Sequence, residues 1–266
     1  MLRNIFLKEL RDRRRSLLFW TIGLLALCAI MMAFYPTIRD SPAISQYIES
    51  FPEEFMAFFG GELMDYTTPT GYLNAEMFSM MVPLLLLVFA IGFGSGAIAG
   101  EEEKGTLDLL LVNPVPRWRL VLEKSAAMIK TTLGLAFVLW AGLAAGGAAV
   151  DMGLDLAGLA AACLSAGLLA LAHGSLALAI GCARGRRSLA VGVSAAVAVL
   201  GYLINALAPM VDWLEPAQEF SPFYYYLEAD PLVSGLDPLH AGILAGLALA
   251  FILLAVVAFR RRDLAV

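Results

Sequence analysis

Histidine is nearly missing from this 266-residue sequence, which has only His173 and His240, and cysteine is scarce, with three. Cys28, Cys163 and Cys182 form no CxxC pair and no metal-ligand spacing, so neither a disulfide framework nor a zinc site is indicated. Charge is thin as well: 15% of the residues are Asp, Glu, Lys or Arg, against about 25% in a soluble domain. The alternation of a transmembrane β-barrel is absent, which leaves helices as the elements able to satisfy their own backbone in lipid. No phosphate-cradling G-x-x-x-x-G-K-[ST] loop occurs. Gly100 and Gly105 have the required gap, but Thr106 stands where the lysine belongs. The first apolar run has no obvious small-residue cleavage site, so it is expected to remain as an anchor and not to be removed as a signal peptide.

What is present is apolar. Hydrophobic residues make up 60% of the chain and its mean hydropathy is +0.78, beyond the roughly 45–50% apolar content of soluble domains. Because a helix rises about 1.5 Å per residue and the hydrocarbon core is about 30 Å thick, runs of about 20 apolar residues mark membrane crossings. Six are read here: Leu17–Tyr35, Met77–Ala99, Thr131–Val150, Leu156–Ala183, Leu189–Met210 and Ala241–Phe259. The expected fold is an all-α polytopic membrane protein, a single domain over residues 1–266, with extracytoplasmic loops at 36–76 and 211–240. The fourth run is over-long and is expected to tilt or to project from the bilayer.

Charge orients the bundle. Six crossings put both termini on one side, together with the 100–130 region and the Arg184–Ser188 link. That side holds 17 of the 18 basic residues, all but Arg39, and 8 of the 23 acidic ones. The positive-inside rule then predicts cytoplasmic termini in a cell membrane. The net charge of −5 thus hides two oppositely charged faces, and the basic clusters suit anionic membrane lipids better than nucleic acid. Residues 1–16 form one such cluster. Leu2, Ile5, Phe6 and Leu10 recur at helical spacing, with Arg3, Lys8, Arg11, Arg14 and Arg15 over the remaining surface, as in a helix lying at the membrane interface.

On the other side, Ser41-Pro42 reads as a helix start followed by an apolar stripe, and Trp213, Phe220, Phe223 and Tyr224–Tyr226 fit an aromatic belt. Gly92, Gly96 and Gly100 recur every fourth residue in the second run, as do Gly142 and Gly146 in the third. Such faces suit close helix packing or a seam between subunits. Pro83 predicts a kink in the second run.

Residues 100–125 crowd charge and two prolines between two apolar runs. Glu101, Glu102 and Glu103 end a helix whose macrodipole disfavours them by about 0.3–1 kcal/mol each, so cations must lie near. Two sources fit, the Arg11–Arg15 cluster and a partner protein. Gly105 suits the helix stop, Thr106 a new start, and Pro114 and Pro116 the end of a short helix carrying Leu107, Leu110 and Leu111 on one side. Leucines displayed in this way fit a socket on another protein.

The segment EEEKGTLDLLLVNPVPRWRLVLEK resembles the first cytoplasmic loop of ABC transporter permeases of the type-2 superfamily. TPTGYLNAE upstream and the basic N-terminal helix are similar too. The resemblance implies a permease subunit, an exporter acting as a homodimer, whose loop is a coupling helix seated in a separate ATPase subunit that binds ATP and Mg; the chain itself would hold no cofactor. Glu101, Glu102, Glu103, Gly105, Thr106, Leu107, Leu110, Leu111, Pro114 and Arg117 would form that contact, and the N-terminal helix would be a connecting helix. Two rival readings stand beside it. Ser95 and His173 could pair as an intramembrane serine hydrolase, and His173 and Asn205, with Lys130, are the candidates for an ion-coupled carrier.

Overall fold

A computed structural model describes residues 4–39, 68–107 and 115–262. Among these residues there is no strand, and six helices are long and apolar enough to cross a membrane: span 1 Arg14–Arg39, span 2 Pro69–Ala97, span 3 Arg117–Ala149, span 4 Leu156–Arg184, span 5 Arg187–Met210 and span 6 Pro238–Arg261. The all-α polytopic fold expected from the sequence is the one observed. A helix at Ile5–Asp12 precedes span 1, and a one-turn helix at Ala99–Glu103 follows span 2.

Local chemistry sets the ends. Asp155 and Asp237 cap spans 4 and 6, accepting hydrogen bonds from Gly158 N at 2.8 Å and Leu239 N at 2.7 Å, which satisfies donors that have no partner inside a helix. Span 2 starts eight residues before the expected Met77. Thr68 accepts from Gly71 N at 3.1 Å, Pro69 occupies the first turn, and a π turn at Asn74–Phe78 carries the helix onward. The break in span 2 falls at Met80, whose φ is −142°, and the helix resumes at Met81. Pro83 therefore sits in a first turn, where its missing N–H is harmless, and does not kink the middle of the span. Span 3 also exceeds its apolar run. Its 33 residues measure about 50 Å at 1.5 Å per residue, so its first turns extend past a hydrocarbon layer of about 30 Å.

Span 4 is the central helix, more buried than any other span, and packs on spans 2, 3, 5 and 6. Small residues make this possible: a Cβ placed on Gly174 would lie 2.9 Å from the Ala90 carbonyl oxygen, and one on Gly94 would strike the Gly174 backbone. Gly142 and Gly146 work as the sequence suggests, giving span 1 room for Cys28 and Met32. Span 1 is peripheral and rests chiefly on span 3. At the end away from the termini, the segment after span 5 folds over the bundle. Its Phe223 and Tyr226 are buried, and the Tyr226 hydroxyl donates to the Phe78 carbonyl at 2.7 Å. These two aromatics are core, whereas Trp213 and Phe220 are exposed as belt residues would be.

Candidate functional site

The end of the bundle that carries the termini gathers the charged residues, and the three consecutive glutamates organise it. The helix Ala99–Glu103 stops in a Schellman turn: Thr106 N donates to Glu101 O at 2.9 Å, Gly105 N to Glu102 O at 2.9 Å, and Gly105 takes φ +67°. The left-handed residue is a glycine because no side chain has to be accommodated there. Three carboxylates thus leave one turn of helix in three directions, and each meets a different part of the chain.

Glu101 Oε1 lies 2.9 Å from Lys124 Nζ, on the part of span 3 that extends past the apolar run. Lys124 is 1% exposed, and its second partner is Glu9 of the N-terminal helix, at 2.8 Å. Arg13 Nε closes the group by donating to Glu9 Oε1 at 2.6 Å, while its guanidinium lies 3.8 Å from the centre of the Phe93 ring. Lys8 stands 3.9 Å from Glu101 and 3.1 Å from Asp12. Burial pushes the Glu9 carboxyl upward, but Lys124 and Arg13 outweigh it and hold the group below the usual carboxylate range. Burial likewise pulls Lys8 down, and its hydrogen bond to Asp12, with Glu101 nearby, carries it above the ordinary lysine value.

Glu102 forms a two-pronged ion pair with Arg262 just past span 6, with Arg262 Nη1 donating to Oε2 at 2.9 Å. Arg117 Nη1 donates to the Arg262 carbonyl at 2.7 Å, which joins the start of span 3 to the same point. The pair lies directly over Gly185, the left-handed residue (φ +65°) ending span 4, where a Cβ would be 2.6 Å from Glu102 Oε2 and would also strike Arg262. Glu103 Oε1 accepts from Arg187 N at 2.8 Å and so caps span 5. The N-terminal helix is fixed in the same way: Glu123 Oε2 accepts from Ile5 N at 2.8 Å and Phe6 N at 3.2 Å. Carboxylates at helix N-termini are favoured by the unpaired N–H groups there.

The cations that neutralise Glu101 and Glu102 therefore come from within the chain, Glu103 is met by a backbone N–H, and the expected cluster supplies none of these partners. Arg11, Arg14 and Arg15 are exposed, and Arg13 binds Glu9. Leu107 is 2% exposed and belongs to the chain's own core, so it is not displayed to the solvent as expected; the turn at Gly105 aims it back into the bundle. Leu110, Leu111, Pro114 and Arg3 lie outside the described residues. Pro116 is extended and precedes the first helical residue, Arg117.

Within the chain, the face bearing Gly92, Gly96 and Gly100 does not make the close helix contact. Gly94, on another side of span 2, makes the close helix contact; a Cβ on Gly92 would meet nothing within 4 Å, and Gly96 and Gly100 meet arginine side chains instead of a helix. Sequence reasoning missed Glu9, Lys124, Glu123, Gly185 and Arg262. Two of them left a trace: Glu9 falls four residues after Ile5 on the buried face of its helix, and Lys124 falls within the buried stripe of Leu120, Val121, Ala127 and Met128.

The rival sites do not assemble. Ser95 donates to Gly92 O within its own helix, His173 Nδ1 meets Leu169 O within its own, and among the described residues His173 Nε2 has no hydrogen-bond partner, so no serine–histidine pair forms. Asn205 is tied to Gln218 at 3.2 Å, and Lys130 is exposed at the basic end over Phe6. Among the described residues no cluster of His, Cys, Asp and Glu could hold a metal ion.

No curated protein matches this sequence. A family model described as ABC-2 family transporter protein matches residues 3–264, nearly the whole chain. With six apolar spans and that match, the chain belongs to the ABC-2 family of transporter proteins and is a multi-pass membrane permease subunit of an ABC transporter.

Proposed function

We propose that this permease subunit works as a homodimer in an ATP-driven exporter of the cell membrane, with its basic end in the cytoplasm. A separate ATPase subunit grips the loop between spans 2 and 3. The observation that carries the coupling reading is the fan of carboxylates at Glu101–Glu103. Glu101 holds span 3 and the N-terminal helix, Glu102 holds the end of span 6 over the end of span 4, and Glu103 holds span 5. A push on the loop at 104–116 reaches all of these through one rigid turn. An ATPase shifts such an equilibrium only as far as its own closed state prefers one loop position. Leu110 and Leu111 are assigned to the partner's socket, while Leu107 anchors the root of the loop. The orientation rests on the excess of Lys and Arg at this end, and export and the homodimer rest on family membership.

The test is purification of the full chain in mild detergent together with whatever nucleotide-binding subunit accompanies it. Replacing Leu110 and Leu111 with Ser should abolish co-purification. Replacing Glu102 with Gln should keep the complex intact but leave ATP hydrolysis unable to change the distance between labels on spans 3 and 6. A complex that survives the leucine changes refutes the socket, and ATP-driven movement that survives Glu102→Gln refutes the coupling.

A further inference from the structure

Among the described residues no helix packs closely on Gly92 and Gly96, which are half-buried on one face of span 2, and two arginines converge on its basic end. A Cβ on Gly96 would lie 3.5 Å from Arg13 Nη2, at the start of span 1, and 3.8 Å from Arg187 Nε, at the start of span 5. Both guanidinium groups therefore border one small space. Arg13 is fixed there by Glu9 on its Nε and by the face of Phe93, and among the described residues its Nη groups have no hydrogen-bond partner. The Arg187 side chain has no carboxylate partner among the described residues; Glu103 takes only its backbone N–H. Along the span away from the arginines the same face is apolar and open: Gly92 would meet nothing within 4 Å, and Val88, four residues further on, is 54% exposed. Glycine at 92 and 96 leaves a trough where any larger side chain would make a ridge.

We propose that this trough binds an anionic phospholipid of the leaflet at the basic end, with its phosphate between Arg13 and Arg187 and an acyl chain along Gly96, Gly92 and Val88. The chemistry follows from the position. Guanidinium forks match phosphate oxygens in geometry and charge, and in a membrane-spanning bundle an apolar trough leading from such a pair meets a lipid tail. The site needs only the embedded chain, so it stands or falls apart from the ATPase coupling.

The test uses the full chain released from nanodiscs and native mass spectrometry of retained lipid, with phosphatidylglycerol and phosphatidylcholine of matched acyl chains as probes. At roughly fivefold for each basic contact, phosphatidylglycerol should be retained about thirtyfold more strongly. Arg187→Gln should remove about fivefold of that preference, and because Arg187 makes no ion pair among the described residues this variant is expected to fold. Arg187→Lys should restore part of the preference. Gly92→Leu should weaken both lipids. Equal retention of the two lipids, or an unchanged preference in Arg187→Gln, overturns the site. Inorganic phosphate or deacylated glycerophosphoglycerol displacing the lipid at equal concentration would overturn the role of the trough. A lipid-excluding disulfide between two copies carrying Gly92→Cys would show a second subunit there and overturn the proposal as well.

Discussion

Lys124 is the sharpest place to perturb the molecule. It is 1% exposed and holds Glu9, 5% exposed, and Glu101 at 2.8 and 2.9 Å. Replacing it with Met preserves much of the side-chain volume and removes the charge, leaving Glu9 buried with Arg13 alone and Glu101 with Lys8 at 3.9 Å. Removing one partner of a buried ion pair costs about 3–5 kcal/mol, and the surviving Arg13 contact places this case near the lower limit, about 3 kcal/mol. At roughly 2–4 °C per kcal/mol for a chain of this size, thermal unfolding in detergent should fall by about 6–12 °C. Hydrogen exchange should show loss of protection over residues 5–12. The cost arises from the stranded Glu9 charge and not from loss of the pair as such, so the double variant Glu9→Met/Lys124→Met should recover most of the lost stability. A single variant with native melting and a protected N-terminal helix would refute the reasoning, as would a double variant no more stable than the single one.

Other expectations follow from the same geometry. Because the Glu9 pKa is lowered in the folded chain, its stabilising contribution is present above the unfolded carboxylate pKa and is lost as pH falls through the lower, folded value. A fluorophore at position 7 should therefore report a docked N-terminal helix from neutral pH down into the ordinary carboxylate range, and release near pH 6 would contradict the assignment. Gly185→Ala introduces a side chain at φ +65° and into the Glu102–Arg262 pair. It should cost about 1–3 kcal/mol for the backbone alone and make the C-terminal residues sensitive to protease, whereas Ala at Gly192, where a Cβ meets nothing within 4 Å, should be tolerated. Tyr226→Phe strands the buried Phe78 carbonyl at the end of the π turn; a loss of about 1–3 kcal/mol is expected, seen as faster exchange of amides at 74–80, and unchanged exchange would mean another donor satisfies that carbonyl.

The six crossings were legible because lipid imposes a length and an apolarity on each helix that composition alone reveals. Gly105 as a helix stop and Gly142 and Gly146 as packing glycines were legible for equally local reasons: a backbone angle and a four-residue repeat. Glu101–Glu103 stood out as charge in an unfavourable place, so the sequence also said that cations had to be near. It could not say which. Glu101 meets a lysine 23 positions away and Glu102 an arginine 160 positions away, and distances of that order along the chain are set by how spans 3, 4 and 6 pack. The same packing turned Leu107 inward, chose Gly94 over Gly92 for helix contact, and brought Arg13 and Arg187 to one glycine. Amino-acid order determined the spans and the uneven charge, since each is a property of neighbours along the chain. Only the tertiary structure decided which charges pair and which face stays open, since those depend on helices that are remote in sequence.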